Sequence, residues 1–596
     1  KAVELPETLK TIGSNAFIRT KLDSINFPQS LSSIGNSAFS GCPLESVILP
    51  SKLRSLGEYA FANNEKVKNI VLPSGITNYD NQFKGCKNIE TINCLCATPP
   101  AITNDPFGDC DKSSVTLKVP QFAVATYKLD PYWYQFDNIL EGEPTDYWKI
   151  IGDLKLLNNR RMEGKPDVDL YYGGKLTVKG DAAMPIGKFD IYTSEDKPSS
   201  FVTDCANITA DEINTIFSVS ANRWYFLTPM ADVDLQQVIV SGTTNYVFRY
   251  YDGATRADIG AGTSWKNVSD MKLKAGVGYI FQCNAAGTLT FPVPVALHKN
   301  ILTTEAVVLP LTPHPSDNKA NKGWNYVGNP FPSYFDIHYM DFTAPITVWT
   351  GSTYKAYSIA DDRFVLRPMQ GFFVQKPDAV DRIVLHAAGR QIESTVNRPN
   401  NVAPSARVSA EQDRFIFNIE IATDTLSDAT RIVLNEEASA EYELECDAAK
   451  FMSIDQAVPQ IYTIDNNGNR LAINERPAVE GEIALGVYIP KSSANYSISA
   501  GRIDGEAYLY DAETGLTHDF AEGSYAFSAE EGTDNKRFTI KLKGGVPTQV
   551  EDVDSYSNVQ ITSVDGGLEI RGASGRAIKI VTVEGLTIYS STPDVS

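Results

Sequence analysis

The side chains that most often carry catalysis are scattered along this chain and do not form a recognisable motif. The five histidines show no H-E-x-x-H spacing. They are His298, His314, His338, His386 and His518. The stretch from Gly572 to Gly575 lacks the glycine spacing of a nucleophile elbow, and no phosphate loop or dinucleotide fingerprint occurs. Carboxylates are plentiful, so a glycosidase pair drawn from distant strands stays open, but abundance alone does not indicate one. The sequence therefore favours a protein that is not an enzyme.

The eight cysteines lack the spacing of a metal site. Cys94-x-Cys96 is too tight for the usual zinc knuckle, and no histidine pair lies nearby. We interpret most of them as buried thiols, with a disulfide among Cys94, Cys96 and Cys110 as the alternative in an oxidising compartment. The segment Asp465 to Asn469 lacks the further carboxylates of a calcium loop, so a hairpin turn is the better interpretation. Neither a metal nor a cofactor is predicted.

A repeat organises the N-terminal part of the chain. An Ala-Phe pair recurs at intervals of 22 residues, and Phe83 keeps the same phase. After each phenylalanine, apolar residues stand at offsets 0, 3 and 5, as in Leu44-Val47-Leu49. Offsets 3 and 5 point to the same side of an extended strand. The pattern predicts one parallel strand per repeat and a single buried column of side chains. The members of that column are Ile25, Val47, Ile70 and Ile92.

The intervening positions of each predicted strand form an exposed face. Offsets 2 and 4 place eight residues in two outward columns: Ser24, Asn26, Ser46, Ile48, Asn69, Val71, Thr91 and Asn93. We predict that this face binds the ligand, although a merely solvated face fits the same residue types. Four strands about 4.8 Å apart span only roughly 15 Å, which is small for a protein interface. We therefore expect small or weak binding, or a longer array of repeats.

These residues resemble the BspA-type leucine-rich repeat, written roughly L-P-x-x-L-x-x-I-G-x-x-A-F-x-x-C-x-x-L-x-x-I. Small polar side chains three positions after each phenylalanine are similar to the Asn/Cys ladders of such repeats, which bond to turn backbone. The segment from Ala97 to Pro100 and the aromatic stretch from Phe122 to Phe136 are similar to the cap of these arrays. The resemblance covers residues 1–143. It implies a surface protein of Bacteroidetes with a role in adhesion or protein recognition.

Composition excludes several classes of partner. Lys+Arg 53 against Asp+Glu 73 gives a net charge of −20, which repels a nucleic-acid backbone. No stretch approaches the roughly 20 apolar residues of a transmembrane helix. The chain begins in mid-repeat with no signal peptide, so we expect an upstream segment that was cleaved or removed.

Beyond the repeats, alternating segments separated by glycine and proline predict a mainly β multidomain chain with β-sandwich-like modules. Residues 146–220 should form short stacked strands. Residues 221–400 contain a duplication, because the segment at Trp224 is echoed at Trp324 and the segment at Gly278 is echoed at Gly371. Residues 403–545 contain eight short predicted strands, which favour a β-sandwich.

The tryptophans of the duplicated unit allow two interpretations. Exposed aromatic platforms bind glycans, whereas a ring on an alternating strand lies in the core, and we favour the core. An exposed cleft flanked by Trp224, Trp324 or Trp349, with two facing carboxylates, would support the alternative function. That alternative is a glycan-binding or glycan-degrading surface protein acting through the duplicated unit.

Residues 550–596 carry a second resemblance. The stretch from Gly566 to Ile570 and that from Ala577 to Tyr589 are similar to the start of the C-terminal sorting domain of type IX-secreted Bacteroidetes proteins. The usual last strand of that domain is missing, and an Ig-like hairpin is the alternative. The resemblance implies an extracellular or outer-membrane cell-surface location, with attachment through a processed C-terminus as one form of it. We therefore expect a non-catalytic, secreted cell-surface binding protein whose partner is an extracellular protein or glycan.

Overall fold

The structure is a computed structural model, and it shows a mainly β chain in which an N-terminal leucine-rich repeat solenoid precedes sheet-rich domains. This confirms the predicted fold class. The described residues are 3–120, 123–142, 147–157, 164–205, 207–243, 245–260, 264–268, 272–302, 305–395, 414–477, 481–491, 493–543, 560–564, 567–571, 578–581 and 587–591.

Short parallel strands stack along the first solenoid. They are β1 (Thr11–Ile12), β2 (Ser33–Ile34), β3 (Ser46–Ile48), β4 (Ser55–Leu56), β5 (Asn69–Leu72), β6 (Asn78–Asp80), β7 (Thr91–Cys94), β8 (Ala101–Asn104), β9 (Thr116–Val119) and β10 (Asn138–Glu141). Helix α1 (Val124–Leu129) and a 3-10 helix (Trp133–Gln135) lie between β9 and β10. One parallel sheet has the order β10-β9-β7-β5-β3, and β1, β2 and β4 form another on a different side of the coil.

The predicted buried column is present for three of its four members. Val47 is the register partner of Ile70, Ile70 is that of Ile92, and all three are buried. Leu117 of β9 continues the column. Ile25 is only half-buried against the same core, because the hydrogen-bonded sheet begins one repeat later, at β3.

The phenylalanines of successive repeats stack into a spine inside the coil. Their ring centroids lie 5.0, 5.3, 5.7 and 5.6 Å apart, and the ring planes are nearly parallel. The spine consists of Phe17, Phe39, Phe61, Phe83 and Phe107. Trp133, which is fully buried, contacts its last ring at 6.0 Å. The aromatic stretch therefore covers the end of the core, as predicted for a cap.

The polar position after each phenylalanine bonds to backbone, as the resemblance implies. Cys42 Sγ donates to the carbonyl of Phe17 at 3.0 Å. Asn64 Nδ2 donates to the carbonyl of Phe39 at 2.9 Å. Cys86 repeats the bond one repeat later. These side chains satisfy carbonyls in the turns, where no strand reaches them.

The glycine steps at Gly35 and Gly57 leave no room for a side chain, because each of these rungs stacks on the backbone of the previous one. A Cβ added at Gly57 would lie 2.3 Å from the amide nitrogen of Asn36, and one at Gly35 would lie 2.5 Å from that of Ser14. Gly13 has nothing within 4 Å of the same point. The stacking of rungs therefore imposes the glycine.

A second stack of parallel strands follows the cap. It contains β11 (Tyr147–Ile150), β12 (Asp153–Leu157), β13 (Asp167–Leu170), β14 (Lys175–Lys179), β15 (Met184–Thr193), β16 (Ser200–Thr203) and β17 (Ile208–Val219). Strands β11, β13, β15 and β17 form one parallel sheet, and β12, β14 and β16 form another. Inward side chains of both sheets share one core. This region is thus a second parallel solenoid.

Two β-units come next. Their strands are β18 (Tyr225–Leu227), β19 (Val233–Asp234), β20 (Ile239–Ser241), β21 (Tyr246–Tyr251), β22 (Trp265–Asn267), β23 (Lys272–Leu273), β24 (Tyr279–Cys283), β25 (Gly287–Val293), β26 (Val307–Pro310), β27 (Trp324–Gly328), β28 (Tyr334–Asp336), β29 (Ile346–Trp349), β30 (Tyr354–Tyr357), β31 (Val365–Leu366), β32 (Gly371–Gln375), β33 (Arg382–Leu385) and β34 (Arg390–Gln391). Their helices are α2 (Gly253–Ile259), α3 (His298–Ile301) and 3-10 turns at Leu235–Gln237, Val295–Leu297, Lys319–Asn321, Ile337–Tyr339 and Ala387–Gly389.

The two units share one topology. The first sheet has the order β18-β24-β21-β22, and the second has the equivalent order β27-β32-β29-β30. The units also contact each other reciprocally: Leu227 bridges Gln370, and Val327 bridges Val277. Since Leu227 and Val327 hold equivalent positions, the contact is the same from both sides, as in a two-fold dimer interface.

The last large domain is one continuous hydrogen-bonded sheet with a main core and a separate, smaller apolar cluster. Its strands are β35 (Phe415–Ala422), β36 (Ser427–Leu434), β37 (Ala448–Ala449), β38 (Gln460–Ile464), β39 (Arg470–Arg476), β40 (Gly481–Ile489), β41 (Ser493–Ile503), β42 (Glu506–Asp511), β43 (Leu516–Asp519), β44 (Tyr525–Ala529) and β45 (Gly532–Lys543), with a 3-10 turn at Phe520–Glu522. All eight strands predicted here are present, and β37, β43 and β44 are additional. Asp465 to Asn469 forms the predicted hairpin turn between β38 and β39.

Ion pairs join this sheet to the second β-unit. Arg414 pairs with Asp361 at 2.5 Å, and Arg431 donates two hydrogen bonds to Asp362, at 2.7 and 2.8 Å. All four side chains are less than a quarter exposed, so solvent screens these pairs weakly.

Two antiparallel hairpins lie near the C-terminal end of the sequence. They are β46 (Gln560–Val564) with β47 (Gly567–Arg571), and β48 (Ile578–Val581) with β49 (Thr587–Ser591). The sorting-like residues Gly566 and Ala577 lie outside the described residues, as does the stretch Gly572 to Gly575.

We expect Gly57→Ala to lower the free energy of unfolding by about 2 kcal/mol, because the new methyl group meets the backbone of the previous rung. Gly13→Ala is the matched control, and it should be neutral or slightly stabilising because its Cβ meets open space. Chemical denaturation of both variants tests this. Equal stability of the two would contradict the stacking account.

Candidate functional site

The outward face of the five-stranded solenoid sheet carries two columns of side chains in register. One column is Ser46, Asn69, Thr91, Thr116 and Asn138. The other is Ile48, Val71, Asn93, Lys118 and Leu140. Both columns arise because the parallel strands pair without slippage, so that equivalent positions of successive repeats align. We call this surface the sheet face.

The structure brings six of the eight predicted binding residues together on this face. Ser46, Ile48, Asn69, Val71, Thr91 and Asn93 all lie in strands. Ser24 and Asn26 are exposed as predicted, but they lie before the sheet in a segment with no strand. Their repeat is the one in which Ile25 is only half-buried. The two columns therefore start at Ser46 and Ile48.

Four residues of the sheet face were missed by sequence reasoning. Thr116 and Lys118 on β9, and Asn138 and Leu140 on β10, extend the columns across the cap. The repeat spacing changes near the cap, so the spacing rule does not point to these four residues. The alternation of Val115, Leu117 and Val119 nevertheless indicates a strand of the same kind. Five strands span about 19 Å, compared with roughly 15 Å for four.

The first column consists of neutral hydrogen-bonding groups. Asn138 Nδ2 donates to Thr116 Oγ1 at 2.8 Å, which shows that neighbours within the column can bond to one another. The column contains hydroxyl and amide groups that both donate and accept hydrogen bonds. It can therefore bind polar groups of either kind without a fixed charge.

The second column is apolar at its ends and polar in the middle. Ile48 is 60% exposed and Leu140 is 48% exposed, whereas Val71 between them is half-buried. A Cβ added at Gly142 would lie 3.3 Å from Asn93 Oδ1, so the chain after β10 passes close to the centre of the column. Two exposed apolar side chains thus flank a polar centre, a pattern common at binding surfaces.

An ion pair lies beside the sheet face. Lys68 Nζ lies 2.7 Å from Glu90 Oε1, just before the strands of their repeats. The hydrogen bond to Glu90 raises the pKa of Lys68. Lys118 is the charged member of the two columns. The face offers hydrogen bonds and apolar contact, and it holds no pair of carboxylates that could act as acid and base.

The tryptophans of the duplicated unit do not form a glycan platform. Trp324 is 2% exposed and Trp349 is 6% exposed, and both belong to an aromatic core shared by the two units. Trp224 is half-buried beneath Arg249, whose guanidinium carbon lies 5.2 Å from the ring centroid. The core interpretation is confirmed for Trp324 and Trp349, and the alternative function loses its structural support.

The cysteines are free thiols throughout, and seven of the eight are buried. Cys94 Sγ lies 3.2 Å from the hydroxyl of Tyr127, and Cys110 Sγ donates to the carbonyl of Phe107 at 3.1 Å. Burial raises the pKa of Cys110 to about 11 and that of Cys86 to about 12. These thiols are therefore core groups, as the sequence favoured, and they do not pair with one another in this structure.

Two families of known proteins match parts of the chain. Residues 1–114 match the model described as BspA type Leucine rich repeat region, in 6 copies. Residues 338–542 match the model described as Domain of unknown function (DUF8693). The second match runs from the second β-unit into the 11-stranded sheet, which are the parts joined by Arg414 and Arg431. The leucine-rich repeats support a role in repeat-mediated binding or recognition.

Among solved structures, the chain is similar to a crystal structure of a leucine-rich repeat protein from Bacteroides ovatus ATCC 8483. The identity is 17% and the TM-score is 0.15. The similarity covers 35% of this chain and 53% of that chain, so this chain spans about half of that protein's length. No curated protein matches this chain.

No group of three or more His, Cys, Asp and Glu side chains among the described residues is arranged to hold a metal ion. No helix in the described part of the chain is long and apolar enough to cross a membrane.

We expect a thiol-reactive dye to modify one cysteine rapidly in the native protein, at the half-buried Cys446, and all eight after denaturation. The other seven thiols are shielded by packing, and a thiol must reach solvent as thiolate to react. Mass spectrometry of the labelled peptides identifies the site. A total of six reactive thiols after denaturation would instead indicate a disulfide.

Proposed function

We propose that this protein is a non-catalytic, secreted cell-surface binding protein that recognises an extracellular protein or glycan through the sheet face. Adhesion is the role that the BspA-type resemblance implies. The observation that carries the proposal is the pair of in-register columns, which align hydrogen-bonding and apolar side chains on five adjacent strands. Parallel repeat sheets create extended binding surfaces in this way.

The size of the sheet face supports recognition of a narrow ligand. Five strands give a length of about 19 Å, which suits an extended peptide, a protein loop or a short glycan better than a standard interface of about 800 Å² per partner. Ile48 and Leu140 would contact apolar groups at the two ends, and the Ser, Asn and Thr column would bond to polar groups along the length. The partner is expected to bind weakly unless neighbouring surfaces contribute.

Location outside the cell is part of the same proposal. The net charge of −20, the BspA-type repeats and the sorting-like sequence after Val550 support export through a type IX route in a Bacteroidetes cell. Release or outer-membrane attachment would follow processing of the C-terminal region.

We expect Ser46→Lys and Asn69→Lys to weaken partner binding by roughly tenfold or more without lowering the melting temperature. Each introduces a charge into a neutral column, and neither residue is in the core. Ser55→Lys is the matched control, because Ser55 is an exposed serine on β4, in the other sheet of the same solenoid. Binding is measured on a glycan array and in a host-protein binding screen. Undiminished binding by both variants would move the site elsewhere on the chain.

We expect deletion of the residues after Val550 to trap the protein in the periplasm, because those residues carry the sorting-like sequence. Cell fractionation and surface labelling of the full-length and truncated proteins test this. Surface display of the truncated protein at the level of the full-length one would refute the export part of the proposal, while leaving the binding part intact.

A further inference from the structure

Lys149 on β11 is a buried cation. The residue is 8% exposed, and no hydrogen bond or ion pair joins its ammonium group to another described residue. Its Nζ lies 3.8 Å from the centroid of the Tyr171 ring. A cation over an aromatic face recovers part of the lost hydration, but a buried charge without a hydrogen-bond acceptor still costs free energy. Burial, followed by the charge of Arg54, lowers the pKa of Lys149. An apolar side chain at this position would therefore destabilise the folded state less than Lys149 does.

The carboxylate of Asp169 attracts Lys149 and acts to raise its pKa, but neither Asp169 nor Asp190 forms a hydrogen bond or salt bridge with the ammonium group. Asp169, the register partner of this lysine on β13, accepts a hydrogen bond from the hydroxyl of Tyr147. Asp190 comes next in register on β15, and its carboxylate lies 3.0 Å from Lys188 Nζ and 2.8 Å from Asn214 Nδ2. Both carboxylates are therefore held by other groups of the same sheet.

Several tyrosine rings lie near the lysine on this outward face of the second solenoid, and that of Tyr171 contacts its ammonium group. Tyr171, Tyr172 and Tyr192 form a cluster with centroid distances of 4.9 to 5.8 Å, and each ring is half-buried. Tyr147, on the neighbouring strand, lies under the guanidinium of Arg54 at 5.9 Å. We call these four tyrosines with Lys149 and Arg54 the tyrosine patch. Two cations, flat apolar ring faces and phenolic hydroxyls thus meet at one place.

We propose that the tyrosine patch binds an acidic saccharide, whose carboxylate is held by Lys149 and Arg54 and whose sugar ring packs on Tyr171 and Tyr192. Tyrosine suits this task because its ring contacts the apolar face of a sugar and its hydroxyl bonds to the sugar's hydroxyls. The ammonium group of Lys149 favours an acidic ligand over a neutral one, since the ligand supplies a hydrogen-bond acceptor that the described residues do not provide. The site lies outside the sheet face, and it does not depend on the proposed function.

The net negative charge of the chain restricts the binding of acidic ligands to places where cations contact them directly. With a net charge of −20, the protein repels anions at long range, so an acidic ligand is bound only where cations are placed in contact with it. Lys149, shielded from solvent, keeps its attraction at higher salt better than an exposed lysine would.

The full chain should be titrated calorimetrically with three acidic probes, namely a galacturonic acid hexamer, a hyaluronan hexasaccharide and sialyllactose, and with neutral cellohexaose. We expect at least one acidic probe to bind and the neutral hexamer not to bind. Lys149→Met should weaken that binding at least tenfold, with an unchanged or higher melting temperature because it removes a buried charge that forms no salt bridge. Lys149→Arg should retain binding within a few-fold, and Tyr171→Ala should weaken it.

Two control variants separate the site from general effects. Lys155→Met removes an exposed lysine on β12, in the other sheet of the second solenoid, and Tyr134→Ala removes an exposed ring in the cap. Both should bind as the wild type does. The proposal is overturned if none of the three acidic probes binds, if cellohexaose binds equally well, or if Lys149→Met binds normally. It is also overturned if poly-glutamate binds as tightly and Tyr171→Ala has no effect, which would indicate an acidic protein segment as the ligand.

Discussion

The register between successive rungs is the constraint on which this structure depends. Each rung of the first solenoid stacks its phenylalanine on the next at 5.0 to 5.7 Å, and it presses the backbone of its Ile-Gly step against the neighbouring rung. Because the strands then pair in parallel without slippage, every position of the repeat becomes a column. Columns that point inward, such as Val47, Ile70 and Ile92, make the core. Columns that point outward make the surface, so the geometry that stabilises the fold also arranges the candidate site.

The same division between inward and outward positions explains where aromatic residues act in the rest of the chain. In the duplicated units, Trp324 and Trp349 point inward and fill the core between the two copies, so they hold the units together and offer no surface to a ligand. In the second solenoid, Tyr171 and Tyr192 point outward from a parallel sheet whose inward neighbours, such as Leu170 and Ile191, are fully buried. The aromatic residues suited to binding are therefore the tyrosines of a regular sheet and not the tryptophans of the repeated unit.

Local periodicity made much of this architecture predictable. The spacing of Phe17, Phe39 and Phe61 specifies the rungs, and the echo of Trp224 at Trp324 specifies the duplication, because each records a structural period directly in the sequence. Features that depend on packing between distant segments have no periodic signal in the sequence. Thr116 and Asn138 join the sheet face only because the cap continues the stack. Nothing in the local sequence distinguishes Lys149 from an ordinary surface lysine. Its burial depends on the folded chain, which places Tyr171 and Arg54 close to it. Ile25 is the opposite case, because its sequence pattern predicts burial that the structure shows only in part. It is half-buried because it precedes the first strand of the five-stranded sheet.

The most direct test of the central claim, that the sheet face is the recognition surface, is photo-crosslinking with benzoylphenylalanine introduced in place of Ser46, Asn69 or Ser55. The protein would be displayed at its native location, irradiated with its partner present, and the crosslinked peptides identified by mass spectrometry. The account predicts crosslinks to the partner from positions 46 and 69 and none from position 55, which lies in the other sheet of the solenoid. Crosslinks from position 55 with none from 46 or 69 would contradict it.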